Sequence, residues 1–329
     1  ICDFSAADFL FSRIVSPDHV DAMLHAHVLI EIGRHREAAT ICERLKSEGG
    51  YHALAADLID GGIALDTGDW TTARRLFGSV IDQRTDETAG FAGHAQRLLS
   101  EIQPYPENID TALASVETIR ALNLKQAEAY SALSASRFLA RSGDPQKGGE
   151  FIERAIELLD GQVRNEHLIL NNSAMVGLLM ETPDYERCAQ WLRQALRSSR
   201  YDFGDLTILT NLAIANWQAG NINAALDCVA RCEPILDEPE FAERDVFWPV
   251  CFNLSQILVA DGQDEKASSM RRRAQQSDWH EQTDAEYWRY RYTGQGRPEP
   301  TLAWMLKFNY HPLALSHWHV DVECVRPRS

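Results

Sequence analysis

Leu29-Ile30-Glu31-Ile32-Gly33-Arg34-His35-Arg36-Glu37-Ala38-Ala39 and Ala64-Leu65-Asp66-Thr67-Gly68-Asp69-Trp70-Thr71-Thr72-Ala73-Arg74 are two copies of one degenerate unit. In each, an apolar helix runs into a Gly, a bulky residue follows two places later, and an Ala comes three beyond that. Gly suits such a break because a helix commonly ends on a left-handed residue, a conformation open to Gly without steric strain. Recurrence of one helix-turn-helix unit predicts a repeat array rather than a single compact core.

Working outward from these copies, seven units are predicted, with breaks at or near Gly33, Gly68, Glu107, Gly143, Pro183, Gly220 and Gly262. By subtraction the intervals run from 35 to 42 residues. After each break a small residue recurs on the second helix: Ala38, Ala73, Ala112, Gly148, Cys188, Ala225 and Ala267. Small side chains let two antiparallel helices approach closely, and Phe77, Val116, Ile152, Leu192 and Val229 fill the groove one turn on. A lone hairpin cannot bury its apolar face, so the units must stack. The expected fold is all-α: a right-handed superhelix of about seven helical hairpins with a concave side. A small C-terminal cap is expected to close it, with a β-strand as one candidate element.

The units around Gly33, Gly68 and Gly220 resemble the tetratricopeptide repeat family, as does the first helix Asn211-Leu212-Ala213-Ile214-Ala215-Asn216-Trp217-Gln218-Ala219-Gly220. The resemblance covers roughly residues 18–276 and weakens around Glu107 and Pro183. It implies a protein-binding scaffold whose first helices line a groove, and it implies no catalytic activity. Counting back from each break, the inward stripe comprises Met23, His27, Leu58, Arg97, Tyr130, Arg137, Asn172, Asn211 and Asn253. An Asn amide both donates and accepts, so it can hold an extended peptide irrespective of side chains. The competing reading is that these Asn residues bridge neighbouring helices. Some family members grip a C-terminal carboxylate with paired Lys and Asn; here Lys is missing at the matching places, although Arg137 offers charge.

Domain organisation follows: residues 1–17 as an N-terminal segment, 18–276 as the array, and 277–329 as an aromatic cap or tail. Residues 1–16 have an apolar cluster but neither the basic n-region nor the small-residue cleavage site of a signal peptide. No run of about 18 apolar residues predicts a membrane span. The net charge of -16 repels phosphate backbones and anionic lipid, so nucleic acid and membranes are not expected as partners. A basic or neutral protein or peptide segment is favoured, with a homo-oligomer left open. Seven scattered Cys lack the spacing of a disulfide scaffold, which fits a reducing, cytoplasmic setting. Cys228 and Cys232, on one helix face, read as buried inert thiols, and Arg271-Arg272-Arg273 as a solvated face near a helix end.

After residue 277 the repeat stops, and aromatics crowd between Tyr287 and Trp318. The run His317-Trp318-His319-Val320-Asp321-Val322-Glu323-Cys324 alternates with the period of a half-buried strand. His317 and His319 two apart on a strand, with His311 or His280, form a candidate metal set, set against the plainer reading of a solvent face. No nucleotide fingerprint, Walker loop, HExxH run or nucleophile elbow occurs. The expected function is therefore a non-enzymatic adaptor or chaperone that holds a client segment and needs no cofactor. Two alternatives stand beside it: a metal-dependent enzyme or enzyme subunit using the C-terminal His residues, and a sensor or oligomerisation module of a regulatory system.

Overall fold

The protein is described by a computed structural model that covers residues 4–13, 19–31, 34–104, 106–158, 166–198, 202–238 and 247–275. These residues hold fifteen helices and, among them, no strand. Helix α1 (Phe4–Phe11) precedes seven hairpins. They are α2 (His19–Glu31) with α3 (His35–Glu48), α4 (Gly50–Asp66) with α5 (Trp70–Asp82), α6 (Ala89–Ile102) with α7 (Glu107–Ala121) and α8 (Lys125–Arg141) with α9 (Pro145–Leu158). The remaining three are α10 (Glu166–Leu179) with α11 (Tyr185–Ser198), α12 (Asp202–Gln218) with α13 (Ile222–Leu236) and α14 (Phe247–Ala260) with α15 (Asp264–Gln275).

The breaks have a common chemistry. Gly68, Gly143, Gly220 and Gly262 take φ of 79°, 96°, 80° and 77°, the left-handed region that ends a helix. At three of these ends an amide reaches back five residues: Asp144 to the Leu139 carbonyl at 3.0 Å, Asn221 to Asn216 at 2.9 Å and Gln263 to Leu258 at 2.8 Å. Arg34 does the same to Leu29 at 2.7 Å. The next helix is then opened by an acid. Asp69 accepts from the Thr72 amide at 3.1 Å, Asp144 from Lys147 at 3.0 Å and Asp184 from Arg187 at 3.0 Å, each satisfying one otherwise orphaned donor. Asp184 thus keeps the start of α11 in a unit where Pro183 stands in place of Gly. The break expected at Glu107 lies earlier: Pro104 and Pro106 interrupt the backbone ladder, and Glu107 is the first residue of α7.

All seven predicted crossing residues are buried, with Ala38, Ala73 and Ala225 fully enclosed. The first helices answer with glycines of their own. A methyl group on Gly61 would meet the Phe77 ring at 2.5 Å, one on Gly93 the Ile119 side chain at 2.5 Å, and one on Gly177 the Cys188 sulfur at 2.8 Å. Gly148 of α9 lies so close to α8 that a Cβ would sit 2.7 Å from the Ser136 carbonyl oxygen.

The chain forms two compact units, whose boundary passes through α8 and α9. Among the described residues, the first holds everything up to 135 together with 154–158. Here α2, α4 and α6 pack in succession, each also covered by the second helix of its own hairpin. Ser115 of α7 donates to the Gly93 carbonyl at 2.8 Å and meets the Ser131 hydroxyl at 2.9 Å, tying α6, α7 and α8 together. Glu128, buried in α8, accepts from Arg120 of α7 at 2.9 Å and from Arg154 of α9 at 3.0 Å. The second unit holds 136–153 and 166–275, in which α10, α12 and α14 form the inner succession and α11, α13 and α15 lie on them.

First and second helices differ in how much they hide. Residues 131–140 of α8 and 206–216 of α12 are buried without interruption. By contrast α11 buries Cys188, Ala189, Leu192 and Ala195 on one stripe and exposes its charged remainder, the ordinary pattern of a helix with one packed face.

Candidate partner-binding residues

Helical phase puts all nine predicted groove residues on first helices, and the structure buries every one of them. In the first unit Met23 and His27 lie on α2, Leu58 on α4, Arg97 on α6 and Tyr130 on α8, with exposures of 0%, 4%, 3%, 2% and 4%. In the second, Arg137 lies on α8 at 3%, Asn172 on α10 at 2%, and Asn211 and Asn253 on α12 and α14, both at 0%. Apolar members such as Met23 and Leu58 are at home in such positions; the polar ones must be satisfied there.

In the second unit Asn211 and Asn172 are bonded through a neighbouring side-chain amide. The Asn211 amide donates to the side-chain oxygen of Asn171 at 2.9 Å, joining α12 to α10. Asn171 in turn reaches the Asn172 oxygen at 3.4 Å, a long contact. Asn171 is the buried amide partner that register counting missed. With two consecutive Asn on α10, counting selects Asn172, while a rotation of one residue, about 100°, brings Asn171 against the next helix. A further amide, Asn216, accepts from Arg193 at 3.2 Å.

The first unit handles its polar groups differently. Arg97 is among the largest fully buried side chains, and its Nη2 lies 3.2 Å from His94 Nδ1. Its Nε has no hydrogen-bond partner, and the same is true of His27 Nδ1. His25, one turn back from Leu29, lies apart from these: its Nε2 is 2.9 Å from Asp8, its ring stacks on Phe11, and Asp8 also pairs with Arg34. The His25 bond and the Arg34 charge hold the Asp8 carboxyl below the usual carboxylate range, which fastens α1 to the first hairpin.

Neither secondary candidate gathers into a reactive group. Burial pushes the Cys228 thiol up to about 11 and those of Cys188, Cys232 and Cys251 up to about 12, so all four are protonated at neutral pH. Arg273 is tied down by Asp237 at 3.0 Å, by the Leu236 carbonyl and by the Phe247 ring, while Arg271 and Arg272 are exposed. The residues His280, His311, His317 and His319 and the strand-like run lie outside the described residues. Among the described residues no group of three or more His, Cys, Asp or Glu could hold a metal ion, and no helix is long and apolar enough to cross a membrane.

No protein-family model matches the chain, and no curated protein matches it in sequence. Solved structures do. The apo form of RapI aligns with a TM-score of 0.51 at 12% identity over 85% of this chain and 92% of its own. A signal transduction ATPase with numerous domains from Pyrococcus horikoshii, which carries a tetratricopeptide repeat sensor, aligns with a TM-score of 0.56 at 12% identity. That match covers 86% of this chain and 44% of the larger protein. The chain therefore has a helical-repeat fold similar to the tetratricopeptide one.

Proposed function

We propose that this protein is a non-enzymatic adaptor or chaperone that holds a segment of a client protein on the first helices of its hairpins. The observation that carries this reading is the amide ladder of the second unit. Asn171 and Asn211 occupy facing positions on consecutive first helices, and the Asn211 donor is spent on the Asn171 acceptor, groups of the kind a peptide backbone would use. An amide pair can be exchanged for a peptide bond of the same polarity without leaving a buried group unsatisfied, which neither apolar nor charged side chains allow. Asn253 places a third buried amide on the helix that follows.

The test is binding of a degenerate nonamer peptide pool to wild type and to Asn211→Ala/Asn253→Ala, with helical content followed by circular dichroism. Losing two backbone hydrogen bonds should weaken binding by about tenfold while the helical signal persists. Equal retention of the pool by both proteins would remove the amide model.

A second reading, the sensing part of a regulatory system, draws on the likeness to the tetratricopeptide repeat sensor of the Pyrococcus horikoshii protein. It shares the ligand-holding step and differs in requiring a further effector element.

A further inference from the structure

We propose that the outer face of α11 docks on a second copy of this chain, against an acidic stripe on that copy's α7. The proposal does not depend on the peptide-holding reading. It starts from cations that lack anions. Arg34, Lys46, Arg120, Arg154 and Arg273 each lie on a carboxylate. On α11, Arg187 and Arg197 are exposed, and among the described residues neither meets one. The Arg187 guanidinium lies over the Trp191 ring, 4.6 Å from its centroid, and Arg197 Nε donates to the Arg193 carbonyl at 3.3 Å. The acids beside them are spent elsewhere: Asp184 accepts from the Arg187 backbone amide at 3.0 Å, and Glu186 from the Asn221 side chain at 3.1 Å. Arg193, at the edge of the face, donates to Asn216.

On α7, in the first unit, the signs are reversed. Glu107, Asp110 and Glu117 are exposed, and among the described residues none of them pairs with a cation. The basic groups that reach this helix are engaged otherwise, Arg120 on Glu128 and Arg84 on the Thr118 hydroxyl at 3.4 Å. The two stripes share one spacing. Arg187, Gln190, Gln194 and Arg197 take the i, i+3, i+7 and i+10 positions of one helical face, and Glu107, Asp110, Ala114 and Glu117 take the same positions of theirs. Ten residues rise about 15 Å on either helix, so when the stripes lie side by side both end pairs coincide. Antiparallel alignment brings the start of α7 to the end of α11, where the helix dipoles favour Glu107 on Arg197 and Glu117 on Arg187. Ala114, midway, is small enough for the helices to approach. What fits the α11 face is therefore acidic and of this length, and a chain of net charge -16 carries such a stripe itself. Exposed ion pairs are individually weak, so the contact belongs to the transient class rather than the obligate one.

Sedimentation equilibrium of the full chain in about 0.15 M sodium chloride reads the association. The wild type should exceed its monomer mass of 37.1 kDa as its concentration rises to about 1 mM. Arg187→Glu/Arg197→Glu and Glu107→Arg/Glu117→Arg should each weaken association by about tenfold or more, since each sets like charges against each other. The two variants move the net charge in opposite directions, so a general charge effect would weaken one and strengthen the other. Mixed together they should associate, although each alone does not and both remain acidic. Raising salt from about 0.15 to about 1 M should weaken the wild-type contact through screening. Circular dichroism follows the fold, and if a reversal fails to fold, Arg187→Gln/Arg197→Gln and Glu107→Gln/Glu117→Gln should show the same loss. The proposal is overturned if the wild type stays at monomer mass, if folded variants of either stripe associate as the wild type does, or if the folded reversal variants stay monomeric when mixed. It is overturned equally if association strengthens at the higher salt, which would mark an apolar contact on another surface.

Discussion

At the scale of single residues, the hairpins depend on atoms that are missing. Two adjacent glycines of α9 make this measurable. A Cβ on Gly148 would lie 2.7 Å from a backbone oxygen, which cannot rotate away, so α8 and α9 would have to separate. One on Gly149 would meet only the tip of Met180, at 3.8 Å, an ordinary contact. Gly148→Ala should therefore destabilise the protein by about 1–3 kcal/mol, as overpacking does. Gly149→Ala should stabilise it by about 0.5–1 kcal/mol through helix propensity alone. Urea unfolding of the two variants, one methyl group each and one residue apart, should move the midpoint in opposite directions. Gly148 was legible as a crossing residue from its place after Gly143. The matching glycines on first helices, Gly61, Gly93 and Gly177, were not, because they occur inside helical stretches where sequence offers no reason to prefer them.

At the scale of elements, charges placed at helix starts and crossings hold what the apolar stripes bring together. Asp69, Asp144 and Asp184 open α5, α9 and α11, a feature that reading the breaks for Gly passed over, and the Asp184 cap explains why the unit at Pro183 survives without its Gly. Glu128 joins three helices. Burial alone would raise its carboxyl, but hydrogen bonds from Arg154 and Arg120 outweigh that and hold it below the ordinary value of 4.5. A carboxyl lowered on folding stabilises the protein fully above its unfolded value, and the contribution is lost as pH falls through the folded one. Glu128→Gln keeps the shape and removes the charge, and should cost about 1.5–3 kcal/mol near neutrality, the range for hydrogen bonds to a charged group. In melts from pH 7 to pH 3, the gap between variant and wild type should be constant down to about pH 4.5 and close below it. A gap that stays open at pH 3 would show that shape, not charge, makes the joint.

At the scale of the whole molecule, the repeat was readable because Gly and small residues recur at fixed offsets, whereas the depth of the candidate residues was not. Helical phase says which way Asn211 or Arg97 points, but how much chain covers that face depends on packing that no single hairpin encodes. The net charge of -16 is likewise a property of the entire chain. Spread over 15724 Å² of surface, it places neighbouring net charges about 30 Å apart, close to the screening length at 0.01 M salt and several times that at 0.15 M. Self-repulsion and steering should thus act only in dilute salt, while contacts such as Arg154 on Glu128 at 3.0 Å persist. Raising sodium chloride from 0.01 to 0.15 M should increase the melting temperature of the free protein, and going from 0.15 to 0.5 M should add little. Over the same first interval, association with a basic peptide should slow by about tenfold or more in stopped-flow measurements, with a much smaller change in its dissociation rate. If dissociation were instead the salt-sensitive step, the charge would be acting in the bound contact, and the long-range field would have no part in selecting the client.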